Sequence, residues 1–179
     1  MGPPRRARRR PERVLERGPA RRGHGGVRPL SGARPPLRIL GIDPGTRLVG
    51  YGVIDVVGPT VAYVECGVLK IPEDEAMARR LRWIAEGVGE VIAELAPEVV
   101  ALEAAFHGVN AASALKLGQA RGAIMVVAAT RDLEVHEYPP AMVKKAVVGH
   151  GRATKAEIQA RVQLPCRLRR APSADAADA

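Results

Sequence analysis

Four acidic residues occupy positions from which they could share a metal ion. Asp43 and Glu103 each follow a short run of apolar residues, and Asp175 and Asp178 are three positions apart, which puts them on one face of a helix. Two carboxylates about 4 Å apart repel each other by about 4 kcal/mol at an effective dielectric of about 20, so a cluster of them needs a cation. Two metal ions held by such a cluster can activate water and stabilise a leaving oxygen, which is the chemistry of nucleases. The acidic residues therefore predict a magnesium-dependent site that acts on a phosphodiester.

Each of these residues also has an ordinary explanation. An Asp-Pro-Gly sequence, as at Asp43, is typical of a turn, and a glutamate at a strand end commonly forms a salt bridge. An Asp-x-x-Asp spacing is commonly a solvated helix face. The metal-site hypothesis therefore requires that folding bring these separate segments together.

The net charge of the chain comes from its N-terminal segment. The formal net charge is +9, and residues 1–36 hold 11 Arg and 2 Glu, which accounts for all of it. The 17 basic and 17 acidic side chains of the remaining residues cancel. A nucleic-acid partner must therefore be argued from where the charges lie, and not from their sum.

Residues 1–36 also contain seven Pro and six Gly, with almost no aliphatic periodicity. Such a segment buries too little apolar surface to offset the entropy of ordering it. We expect a disordered Arg/Pro/Gly-rich extension. A non-specific DNA-binding arm, a solvated tail and a misassigned translation start all remain open as explanations of it.

Cysteine usage and hydropathy indicate the compartment. The two cysteines, Cys66 and Cys166, are 100 positions apart and have no metal-ligand spacing, which is typical of a reduced cytoplasmic protein. The longest uncharged apolar stretch, residues 123–129, is much shorter than the roughly 20 residues that span a bilayer. We therefore expect a cytoplasmic protein without a membrane segment.

Periodicity from residue 37 onward predicts alternating strands and helices. Turn signals at Pro44-Gly45 and Gly58-Pro59 separate three β-branched runs, which predicts an antiparallel meander. Helical spacing and short apolar runs then alternate, which predicts two further, parallel strands. The expected fold is α/β: a mixed five-stranded sheet with helices on both faces. The predicted strands are 37–42, 48–57, 60–71, 99–103 and 134–138, and the predicted helices are 75–95, 110–130, 139–148 and 154–163.

Five segments resemble the crossover junction endodeoxyribonuclease family RuvC: residues 39–46, 101–106, 110–122, 147–149 and 173–179. They occur in the family's order, and the long block 110–122 is highly specific. The resemblance implies an RNase H-like fold, a homodimer, and paired metal-dependent nicks at a Holliday junction during DNA recombination and repair. It also implies the branch-migration complex RuvA/RuvB as a partner.

The resemblance also implies roles for particular residues. Asp43, Glu103, Asp175 and Asp178 correspond to the family's catalytic, metal-binding carboxylates, which hold two Mg²⁺ ions, with Mn²⁺ as an alternative.

The implied DNA-binding residues are Phe106, Asn110, Lys144 and Lys155. Phe106 is the one phenylalanine of the chain and lies in a Gly- and Asn-bearing segment, as a base-stacking aromatic would, although it could instead fill a small gap in the core. The lysines correspond to basic positions near the scissile phosphate. His107 and His150 have no partner at metal-ligand spacing, so we interpret them as ordinary loop histidines.

Two segments depart from the family pattern. Residues 163–170 contain Pro165 and three arginines where the family continues an apolar helix. The chain ends one residue after Asp178, so we expect the nuclease domain, residues 37–179, to be shortened at its C-terminal helix. The hypothesis that follows is a weakened metal affinity with some junction binding retained.

Three other functions remain as alternatives. One is a catalytically impaired junction-binding remnant, and another is an RNase H-like nuclease of ribosomal RNA maturation, against which block 110–122 argues. The third is an actin-like ATPase domain, which needs about twice this length. Small residues along 111–122 indicate either burial against the sheet or the dimer contact that the family implies.

Overall fold

A computed structural model describes residues 12–16, 35–104, 110–149, 152, 154, 156–158 and 161. In this part of the chain, strands and helices alternate after an initial group of strands, as the periodicity predicts. The strands are β1 (Glu12–Glu16), β2 (Leu37–Asp43), β3 (Leu48–Val57), β4 (Thr60–Lys70), β5 (Val99–Glu103) and β6 (Glu134–Tyr138). The helices are α1 (Met77–Leu95), α2 (Ala111–Ala129) and α3 (Pro140–Val148).

The strands form one mixed sheet in the order β1-β4-β3-β2-β5-β6. Neighbouring strands from β4 through β3 to β2 are antiparallel, and β2, β5 and β6 are parallel. The five predicted strands and their mixed arrangement are therefore confirmed.

The sixth strand, β1, comes from the segment expected to be disordered. Residues 12–16 pair antiparallel with β4 along its outer edge. These residues lack Gly and Pro, so they can satisfy their backbone hydrogen bonds on an edge that would otherwise be open. The expectation of disorder across 1–36 thus does not hold for residues 12–16, while residues 1–11 and 17–34 lie outside the described part.

The core lies on one face of the sheet, under α1 and α2. Alternate residues of the central strands are fully buried there, as at Leu40 and Ile42 of β2 and at Val100 and Leu102 of β5. The two helices cover this face with Ile84, Val88, Val91, Ile124 and Ala128. The spacing of the α1 positions is that of one helical stripe, as predicted. α1 ends at Ala96 in a left-handed conformation (φ 47°), directly before Pro97.

An ion pair ties the start of β2 to its neighbours, at the end of the strand away from Asp43. The Arg38 guanidinium donates to both carboxylate oxygens of Asp55 at 2.7 and 3.0 Å, and to the Leu95 carbonyl at 2.8 Å. The hydrogen bond to Asp55 raises the pKa of Arg38 above its ordinary value. These contacts join β2, β3 and the end of α1. Among the described residues, no helix is both long enough and apolar enough to cross a lipid bilayer.

Candidate metal and nucleic-acid site

The strand register places Asp43 and Glu103 next to each other. β2 and β5 are parallel with Ile42 opposite Leu102, so the next residue of each strand, Asp43 and Glu103, continues the same row. Side chains alternate between the faces of a sheet, and since Ile42 and Leu102 face the buried core, the two carboxylates face the other side. Adjacent strands lie about 4.8 Å apart. The two acids therefore share one face at neighbouring positions, where both are half-buried.

The sheet around this pair is almost bare of side chains. Gly50 lies opposite Asp43, and Gly52 lies opposite Gly41. On the other side, Ala101 lies opposite Gly41. These four small residues lie on the same face as the carboxylates. Gly41 and Ala101 are two positions before Asp43 and Glu103, and Gly50 and Gly52 pair with Asp43 and Gly41. We call Gly41, Gly50, Gly52 and Ala101 the small-residue floor. Gly41 and Gly50 are buried and Gly52 and Ala101 are half-buried, and none of the four places a long side chain beside the carboxylates.

Tyr138 extends the row of the carboxylates on the side of β6. It lies opposite Glu103, and its carbonyl accepts a hydrogen bond from the Ala104 amide at 2.8 Å. The Tyr138 side chain is 39% exposed. Sequence reasoning missed both Tyr138 and the small-residue floor. A signal for the floor was present, since Gly50 and Gly52 are two positions apart and Gly41 is two positions before Asp43.

Contacts from α1 and from the residue after β4 hold the loop that follows Asp43. The Arg80 guanidinium donates to the Thr46 carbonyl, with a distance of 3.1 Å from its Nε, and the Ile71 amide donates to the Arg47 carbonyl at 2.8 Å. A Cβ at Gly45 would lie 2.0 Å from the Leu48 carbonyl oxygen, so only glycine fits there. The loop is therefore tightly constrained beside the acidic pair.

Asn110 and Lys144 are the predicted DNA-binding residues within the described part. Asn110 precedes α2 and its Oδ1 accepts a hydrogen bond from the Ala112 amide at 3.0 Å, so it caps the helix. Lys144 is half-buried on α3, which begins two residues after Tyr138 at the carboxylate end of the sheet. The DNA contacts of both residues remain predictions.

The other predicted site residues lie outside the described part of the chain: Asp175, Asp178, Phe106 and Lys155, together with His107 and His150. Within residues 12–16, 35–104, 110–149 and the few described beyond them, no group of three or more His, Cys, Asp or Glu side chains surrounds one point. The Asp43–Glu103 pair thus forms half of the predicted ligand set. Its oxygen donors on one face of the sheet suit a hard divalent cation such as Mg²⁺ or Mn²⁺.

Comparisons with known proteins give one consistent family. The model of the family described as "Crossover junction endodeoxyribonuclease RuvC" matches residues 39–179. The chain is 49% identical to RuvC of Chromohalobacter salexigens over 150 residues, which are 84% of this chain and 80% of the relative. It is 49% identical to RuvC of Thiobacillus denitrificans over 143 residues, 80% of this chain and 83% of the relative.

Solved structures support the same relationship. T. thermophilus RuvC in complex with a Holliday junction substrate superposes with a TM-score of 0.74 at 35% identity, covering 80% of this chain and 88% of that one. The yeast mitochondrial Holliday junction resolvase shares the fold alone, with a TM-score of 0.53 at 12% identity over 75% of this chain and 67% of that one. The RNase H-like fold class is therefore confirmed, and the chain belongs to the crossover junction endodeoxyribonuclease family RuvC.

Proposed function

We propose that this chain resolves four-way DNA junctions by metal-dependent hydrolysis of phosphodiester bonds. The observation that carries the proposal is the adjacency of Asp43 and Glu103 on the face of the sheet opposite α1 and α2. Members of the family are metal-dependent nucleases. A half-buried carboxylate pair with only small residues beside it on the sheet supports the same chemistry, because its oxygens are suitable ligands for a divalent cation.

We assign metal binding to Asp43 and Glu103 together with Asp175 and Asp178, and we infer two Mg²⁺ ions in each site. When bound, such ions activate water and stabilise the charge on the attacked phosphate. The first two acids come from the ends of adjacent parallel strands, so their spacing is fixed by backbone hydrogen bonding between β2 and β5. Rigid strands hold catalytic groups more precisely than loops do.

The neighbouring residues position the DNA. The small-residue floor keeps long side chains away from the carboxylates, and Tyr138 borders it with a partly exposed ring. Lys144 and Lys155 neutralise phosphate charge. Asn110, at the N-terminus of α2, also contacts the DNA backbone. Phe106 stacks on a base of the opened junction, an interaction worth about 1–3 kcal/mol.

Paired nicks require two active sites, and α2 offers a surface for a homodimer. Leu115 is 67% exposed and Val126 is 61% exposed, and both are large apolar side chains on α2. Gly118 and Gly122 lie between them, and a Cβ added at either would contact nothing within 4 Å. This apolar surface, with small residues that permit close approach, supports a symmetric contact with a second copy. A partnership with the branch-migration proteins RuvA and RuvB is supported by family kinship, and co-purification with them tests it.

Cleavage of a synthetic four-way junction tests the proposal. Asp43→Asn and Glu103→Gln should each abolish metal-dependent nicking while leaving junction binding in place, because each removes a charged ligand and little volume. Glu90→Gln is the matched control, since Glu90 is exposed on α1, the helix that covers the opposite face. Ordinary cleavage by both site variants would refute the assignment.

A further inference from the structure

The pairing of β2 with its neighbouring strands stops at Asp43. The last pair of β2 with β5 is Ile42 with Leu102, and the last pair of β2 with β3 is Asp43 with Gly50. Residues 44–47, which we call the 44–47 loop, then lead into β3. The direction of the Asp43 carboxylate therefore depends on this loop as well as on the strand.

The 44–47 loop has little conformational freedom. Pro44 is buried, and its ring fixes one backbone angle. Gly45 lies against the carbonyl of the first residue of β3, closer than a Cβ would allow. Thr46 is three residues after Asp43, so the Cα atoms of these two residues are at most about 11 Å apart. A shift of the Thr46 carbonyl is therefore transmitted to Asp43 through two constrained residues.

One side chain from α1 holds the middle of this loop. Arg80 is half-buried near the start of α1, and its guanidinium donates from both Nε and Nη2 to the Thr46 carbonyl, with Nε at 3.1 Å. Two other arginines of α1, Arg79 and Arg82, each pair with a glutamate four positions away. The described contacts of Arg80 go instead to a backbone oxygen. A half-buried charged side chain is thus used to fix the loop beside the acidic pair.

We propose that Arg80 is a positioning residue of the metal site. By holding the Thr46 carbonyl, it keeps the Asp43 carboxylate beside Glu103 in the geometry that a divalent cation requires. This inference rests on the proposed function. A guanidinium suits the task because its donors lie in a rigid plane, so that two of them orient the carbonyl as well as hold it.

The choice of cation reports on this geometry. Mg²⁺ requires nearly ideal octahedral coordination at about 2.0–2.1 Å, whereas Ca²⁺ accepts flexible coordination at about 2.3–2.6 Å. A misplaced Asp43 carboxylate should therefore weaken the binding of Mg²⁺ more than that of Ca²⁺. A general loss of stability would not distinguish the two ions.

Position and charge give opposite expectations for the metal. Arg80 is a cation, so charge alone predicts that its removal strengthens the binding of a divalent ion nearby. The positioning role predicts that removal weakens it. Arg80→Lys separates the two effects further, because lysine keeps the charge but lacks the rigid fork that places two donors on one oxygen.

Metal binding by the full chain without DNA tests the proposal. The Kd values for Mg²⁺ and Ca²⁺ are obtained from the rise in Tm as each ion is added to metal-free protein, and Asp43→Asn identifies the part of the rise that belongs to this site. Arg80→Ala should raise the Kd for Mg²⁺ by about 10–100-fold, as loss of a residue that orients a metal ligand does. The Kd for Ca²⁺ should rise by less than about threefold.

Two further variants complete the comparison. Arg80→Lys should raise the Kd for Mg²⁺ by at least about threefold, in the same direction as Arg80→Ala. Arg82→Ala is the matched control, because Arg82 is exposed on the same helix and pairs with Glu86. It should leave both Kd values unchanged. Junction binding in EDTA should be the same for wild type and all three arginine variants.

Three results would each overturn the role of Arg80: an unchanged or lower Kd for Mg²⁺ in Arg80→Ala, equal changes for Mg²⁺ and Ca²⁺, or weakened junction binding in EDTA, which would show a contact with DNA. If circular dichroism in EDTA shows that Arg80→Ala does not fold, Arg80→Lys is put through the same tests. A wild-type chain whose Tm does not respond to Mg²⁺ would refute the metal site itself. A normal wild-type response with unaffected Arg80 variants would refute the positioning role alone.

Discussion

The adjacency of Asp43 and Glu103 has a measurable energetic signature. If the charges are separated by about one strand spacing of 4.8 Å, they repel by about 3.5 kcal/mol at an effective dielectric of 20 and by about 0.9 kcal/mol in bulk water. Both side chains are half-buried, so we expect a value of about 1–3 kcal/mol. Either single substitution, Asp43→Asn or Glu103→Gln, already removes the whole of this repulsion. The double substitution therefore gains nothing more from it.

Thermal and denaturant unfolding in EDTA measure this coupling. In the Asp43/Glu103 double-mutant cycle, the change in free energy of unfolding of the double variant should differ from the sum of the two single changes by about 1–3 kcal/mol. A control cycle that combines Asp43→Asn with Glu90→Gln should be additive, because Glu90 lies on the helix covering the other face.

Divalent metal should reverse the order of stability, so that wild type becomes more stable than the single variants. At a metal concentration 100 times its Kd, wild type gains about 2.7 kcal/mol, and a variant that cannot bind the ion gains none. For a chain of this size, each kcal/mol shifts Tm by about 2–4 °C, so the reversal is readily measured. Additivity of the Asp43/Glu103 cycle within about 0.5 kcal/mol would refute the shared cation site.

Two further predictions concern the surfaces around the site. Ala101→Val enlarges a half-buried side chain of the small-residue floor two residues before Glu103, and it should reduce junction cleavage at least tenfold while the fold is retained, since valine favours strands; wild-type cleavage would contradict the floor's role. Leu115→Glu puts a charge on the exposed apolar surface of α2, and it should convert a dimer to monomer in analytical sedimentation, whereas the control Ser113→Glu should not. A wild-type protein that is monomeric at micromolar concentration would argue against paired nicks.

Features that depend on local pattern were predictable from the sequence. The apolar runs before Asp43 and Glu103 identify strands, and residues at the ends of two adjacent parallel strands meet at one edge. The end of α1 also follows from local chemistry, because Pro97 cannot continue a helix.

Features that depend on register were not predictable in the same way. β1 carries only a five-residue signal, and its partner is the edge of β4, about 54 positions later in the chain, so its stability depends on an edge that no local pattern reveals. The small-residue floor is formed by positions on three strands, and glycine contributes to it by lacking a side chain. Tyr138 likewise acquires its position only through the pairing of β5 with β6.

The buried residues beside the carboxylates also protect the alignment of the site. A slip of β5 by one position against β2 would turn Glu103 toward the helices and expose Val100 and Leu102, both of which have no solvent-accessible surface. Exposing each of these side chains costs about 1.5–3 kcal/mol. The buried apolar side chains of β5 thus fix the register of the strand, and this register determines where Glu103 lies relative to Asp43.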